Sequence, residues 1–100
     1  MVPDQTYSFE GALWRSGGAG ASWIFITVPA DISQQIRFLQ GTPKGFGSIR
    51  ASCRIGASRW NTSLFPDKAS GCYFLPVKAA VRKAEGISTG DSVNIDIRTG

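Results

Sequence analysis

Apolar and polar residues exchange places every second position over most of this chain, a period that suits strands with one buried and one wet face. In residues 48–55, Ile49, Ala51, Cys53 and Ile55 face inward while Ser48, Arg50, Ser52 and Arg54 face outward. The same rule makes a strand of residues 6–14, with Tyr7, Phe9, Gly11 and Leu13 on one face and Thr6, Ser8, Glu10 and Ala12 on the other. It makes a last strand of Val93, Ile95 and Ile97 alternating with Asn94, Asp96 and Arg98. Trp60, Thr62 and Leu64 share a face in residues 59–65, and residues 72–75 add a short strand. Residues 23–28 are apolar on both faces, broken only by Thr27, which predicts a strand covered on both sides. Trp23, Phe25, Ile49, Leu64 and Ile95 are then expected in one core.

Twice the period changes to that of a helix. After Pro29, residues Ile32, Ile36 and Leu39 fall on one helical face, with Asp31 near its positive end. After Leu75, Pro76 stands where a first helical turn tolerates proline, Val77, Ala80, Val81 and Ala84 pack inward, and Lys78, Arg82 and Glu85 face water. Gly86 and Ile87 have the spacing of a left-handed C-terminal stop. The order is β-β-α-β-β-β-α-β: a mainly β chain, closing as an antiparallel barrel, closed or double-split, of about six strands with two short helices. The prolines that follow Val28 and Leu75 suggest a duplicated half-barrel, although the apolar helical positions after them are offset by about one residue.

With 100 residues the chain is one domain, spanning 1–100, whose single core must take most of its aromatic side chains. Its longest apolar run is far below the ~20 residues that span a bilayer, and its first five residues hold no basic stretch and no apolar segment. A cytoplasmic protein with no membrane partner and two reduced thiols, Cys53 and Cys72, is expected. It contains no histidine, so the commonest general base and zinc ligand are both missing, and two separated cysteines make no four-ligand site. No catalytic residue, metal site or cofactor is assigned.

Several stretches resemble a small bacterial family, the domain of unknown function nineteen-oh-five. They are Phe9 with Trp14, Trp23-Ile24-Phe25-Ile26 leading to Pro29, Lys44-Gly45-Phe46-Gly47-Ser48-Ile49-Arg50 and Trp60-Asn61-Thr62-Ser63-Leu64-Phe65-Pro66-Asp67. The match continues through Leu75-Pro76-Val77-Lys78, Val81-Arg82-Lys83-Ala84 and Gly90-Asp91-Ser92-Val93, and it implies a fold more than a function. Residues 75–97 are also locally similar to the swapped-hairpin regulators of the AbrB and MazE type. That resemblance implies an interleaved barrel with a helix at each end and raises DNA binding by analogy.

The chemistry rests on a modest basic excess, 11 Lys and Arg against 7 Asp and Glu. Much of it serves solubility. Arg50 and Arg54 nevertheless project from one strand face, with Arg59 across the turn, and such fork donors suit phosphate or carboxylate groups. Lys44 and Phe46, on the glycine-flanked loop before that strand, would add a cation and a stacking wall, and Arg82 is the additional donor. Trp60 and Thr62 place a ring beside a hydroxyl, as a small polar ligand in a barrel mouth requires, although a core tryptophan explains the same pattern. The expected function is a non-catalytic binding module, monomer or homodimer, for a small anionic or polar ligand. The alternatives are a DNA-binding barrel and a small-molecule enzyme of unknown reaction.

Overall fold

A computed structural model describes residues 5–17, 23–40 and 47–99. Seven strands and two helices follow in the order β1 (Gln5–Ala12), β2 (Trp14–Ser16), β3 (Trp23–Thr27), α1 (Ala30–Gln40), β4 (Ile49–Ile55), β5 (Ser58–Pro66), β6 (Tyr73–Pro76), α2 (Ala79–Glu85) and β7 (Ser92–Thr99). All strand pairs are antiparallel, in the spatial order β1-β7-β4-β5-β6-β3-β2. Only Leu13 separates the two outermost strands in sequence, so the sheet curls round until its two edges are consecutive stretches of one segment. The expected single first strand is therefore divided. At the break Leu13 is buried, donates its N–H to Asp91 O at 2.9 Å and accepts Gly90 N–H at 2.9 Å. Gly11 permits the closure, because a Cβ there would stand 2.9 Å from Ile26 Cγ2.

The interior is lined by the inward alternating positions: Tyr7, Ile95 and Ile97, Ala51, Cys53 and Ile55, Trp60 and Leu64, with Ile26, Val28 and Leu75 from the opposite wall. Ile49 packs against this cluster only partly buried, whereas Trp23 is 61% exposed and does not belong to it. Phe25 likewise faces outward. Strand alternation explains both, since Ile24, Ile26 and Val28 take the inner face of β3 and leave Trp23 and Phe25 on the outer one. That outer face is covered by aromatic neighbours rather than by another layer. Trp14 lies 4.9 Å from Phe25, Phe25 meets Phe74 edge-on at 5.2 Å, and Phe65 lies 5.9 Å from Phe74, a ladder of rings across β2, β3, β6 and β5.

The strand–helix units β3–α1 and β6–α2 are related by a local pseudo-twofold axis through the β3–β6 pair. Ile26 faces Leu75, and the bond from Val28 N–H to Tyr73 O is repeated by Val77 N–H to Ile24 O, both at 2.8 Å. A shift of 49 residues carries Ile24, Val28, Ala30 and Ser33 onto Tyr73, Val77, Ala79 and Arg82. Ser33 Oγ donates to Val28 O at 3.1 Å, and Arg82 Nε donates to Val77 O at 3.2 Å, so each helix is tied to its strand in the same way. The equivalence is two residues longer than the spacing of the prolines. Pro29 precedes α1 directly, whereas Pro76 ends β6 and Lys78 is the residue before α2.

Both helices cover the sheet through few side chains. In α1, Ile36 is buried and so is Ser33, which also accepts Tyr73 N–H at 3.0 Å. In α2, Val81 is buried but Ala80 and Ala84 are exposed; Glu85, expected in water, accepts Ser58 Oγ–H at 2.6 Å. The helix stops at Gly86 in the left-handed conformation, with Ile87 N–H bonded to Arg82 O at 3.0 Å. Cys53 and Cys72 are free, and among the described residues no helix is long and apolar enough to cross a membrane.

Candidate functional site

The outer faces of β1, β7, β4 and β5 form one polar surface whose rows are fixed by strand register. Thr6, Arg98, Ser52 and Asn61 are successive cross-strand neighbours, and beside them run Ser8, Asp96, Arg54 and Arg59. These rows wall an open depression of about 480 Å³, lined by Arg54, Arg59 and Arg98 together with Asp96, Thr6 and Asn61. Among the described residues, three arginines and one aspartate line it. Arg54 and Arg59 stand directly opposite each other, an arrangement that costs stability in an antiparallel pair.

Asp96 is fully engaged. Ser8 Oγ donates to its Oδ1 at 2.6 Å, and Arg54 donates to its Oδ2 through Nη2 at 2.6 Å and Nε at 3.1 Å. The Ser8 hydroxyl, and then the Arg54 guanidinium, hold this carboxyl below its ordinary pKa. The ion pair lies at the surface, its side chains 49% and 31% exposed, so it orients Arg54 more than it stabilises the fold. Ser52 Oγ donates to Asn61 Oδ1 at 2.9 Å and stiffens the next row.

The residues singled out from the sequence fall into two groups. Arg54 belongs to this depression, and Arg50 stands four residues earlier on the same exposed face, opposite Ser63. Thr62 and Arg82 instead line a second depression of about 340 Å³ at the start of α2, with Trp23, Ile24, Pro76 and Lys78. Trp60 is buried in the core, its Nε1–H reaching Pro76 O at 3.3 Å, so its ring packs the barrel. Lys44 and Phe46 lie outside the described residues. Arg98 and Asp96 join the site because β7 is inserted beside β4, a neighbour relation that alternation within one strand does not reveal.

Two titratable side chains in the interior are held away from reactivity. Burial pushes the Cys53 thiol up to about 12 and raises the Tyr7 phenol above its ordinary value. Neither supplies a nucleophile or base near neutral pH. The chemistry available on the outer face is recognition of negative charge by planar, permanently charged donors.

A family model described as a domain of unknown function, DUF1905, matches residues 9–97 of this chain. No curated protein matches it.

Proposed function

Since the chain belongs to the DUF1905 family, whose description names no activity, we propose from its geometry that it is a non-catalytic binding module for a ligand carrying more than one anionic group. The observation that carries this reading is the placing of Arg54 and Arg59 directly opposite each other in the depression on β4, β5 and β7. An incoming anion would relieve that repulsion and accept forked hydrogen bonds from several arginines. Arg50, on the same face about 13 Å along β4 from Arg54, extends the positive surface. The setting we infer is the bacterial cytoplasm, where two free thiols persist.

The test is calorimetric titration with inorganic tripolyphosphate and, separately, with a short DNA duplex. The reading expects saturable binding of tripolyphosphate that weakens on the order of tenfold in Arg59→Gln, at about 1.4 kcal/mol per factor of ten. Binding of duplex alone, with affinity falling steeply against salt, would instead favour the DNA-binding alternative. Tripolyphosphate affinity unchanged in an Arg54→Gln, Arg59→Gln double variant would remove the arginine face from consideration.

A further inference from the structure

We propose that the depression at the start of α2 is a separate binding site, for a small flat aromatic anion. Its origin is an inequality between the two strand–helix units. The pseudo-twofold relation puts Tyr73 beside α1 where Ile24 stands beside α2, and the tyrosine ring is buried with Arg37 lying over it, 5.3 Å from guanidinium carbon to ring centre. The same Arg37 donates to Gly71 O at 2.9 Å, which fixes its guanidinium over the ring. Ile24 is too short to fill the equivalent space beside α2, and a depression of about 340 Å³ is left open.

The lining is suited to a ring and one anionic group. Ile24, Pro76 and Val77 give an apolar floor, Thr62 offers a hydroxyl, and the Trp23 indole at the rim is 61% exposed and available for stacking. Lys78 and Arg82 supply positive charge, and no acidic side chain is among the described lining residues. Arg82 is held in place by its Nε–H bond to Val77 O, which uses one of the five donors of a guanidinium. The volume is near the lower end of the roughly 300–1,000 Å³ typical of small-molecule sites, enough for one ring system with one charged group. None of these side chains lines the arginine face on β4, β5 and β7, so the two sites stand or fall separately.

The experiment is a titration of the isotope-labelled full chain with adenosine monophosphate and with benzoate, and with inorganic phosphate for comparison, followed by amide and indole nuclear magnetic resonance shifts. The expected result is saturable movement of the Trp23 indole N–H and of the amides of Thr62, Lys78 and Arg82 with at least one aromatic anion. Affinity should fall about tenfold or more in Trp23→Ala and in Arg82→Gln, and inorganic phosphate should bind far more weakly. Lys78→Gln, at an exposed position, serves in place of Arg82→Gln if the latter does not fold. The proposal is overturned if neither aromatic anion moves these resonances saturably, if affinity is the same in the Trp23 and cation variants as in the parent, or if phosphate alone binds as tightly as the aromatic anions.

Discussion

Replacing Asp96 with Asn should move stability and anion affinity in opposite directions. The carboxylate receives one hydrogen bond from Ser8 and two from Arg54. The isosteric amide keeps one accepting oxygen and loses the charge. An exposed ion pair contributes ~0–1 kcal/mol and a hydrogen bond about 0.5–1.5 kcal/mol, so the net loss should be about 1 kcal/mol, or roughly 4–8 °C in Tm for a domain of this size. Affinity responds with the other sign, because Asp96 competes with any ligand for Arg54. Removing one negative charge a few ångströms from a bound anion is worth ~1 kcal/mol in a water-like dielectric, about fivefold tighter binding at low salt and less at high salt. Titration with tripolyphosphate at two ionic strengths, beside urea denaturation, reads both quantities. The folded-state pKa of Asp96 is depressed, so its stabilising contribution is present above the unfolded pKa near 3.9 and is lost as pH falls through the folded value. Asp96→Asn should lack that component of acid sensitivity. An Asp96→Asn variant that binds tripolyphosphate no more tightly than the parent would refute the reading of Arg54 as a ligand donor.

Leu64 is fully buried where β5 passes from its pairing with β4 to its pairing with β6, and Leu64→Ala should cost ~2–5 kcal/mol by thermal or urea denaturation; a cost under about 0.5 kcal/mol would place it outside the core. Ser33→Ala removes a buried hydroxyl that joins Val28 O to Tyr73 N–H, and a loss of about 1–3 kcal/mol is expected, against no change if water reaches these groups. Mass spectrometry should find two alkylatable thiols after denaturation under non-reducing conditions. In the native protein Cys53, buried and pushed up to about 12, should be alkylated far more slowly than half-buried Cys72; equal rates would contradict its burial.

Alternation was sufficient to read the inward and outward sides of β4 and β7, because each residue's side is a local property with a period of two. It could not reveal the break at Leu13, since Tyr7, Phe9, Gly11 and Leu13 keep their rhythm through the point where the chain changes partners. Residues 23–28 pointed to cover on both faces, but only the three-dimensional neighbours show that Trp14 and Phe74 cover Phe25 while Trp23 stays exposed. The site shows the same limit. Arg50, Arg54 and Arg59 were legible as neighbours across one tight hairpin, whereas Arg98 and Asp96 arrive from a strand about forty residues later. Arg82 looked like a companion of the arginine strand, yet it lines the second depression with Thr62, which alternation had already put on the Trp60 and Leu64 face of β5.

The pairing of β1 with β7 joins Gln5 to Thr99, so during synthesis β1 waits for a strand made more than eighty residues later. Until Ser92–Thr99 is made, β1 has no neighbour to bond to and β4 can pair only with β5. Joining ends about 90 residues apart costs loop-closure entropy before any contact rewards it, which places the chain among slow-folding, non-local β topologies. Through that interval the ring ladder of Trp14, Phe25, Phe74 and Phe65 can assemble on β2, β3, β6 and β5, while β1 and the free side of β4 wait for a partner. Synthesis of the final strand is therefore the event that commits the polypeptide to its structure, and a chain that stops before Ser92 should be recovered as a substrate for chaperones or proteases rather than as a smaller barrel.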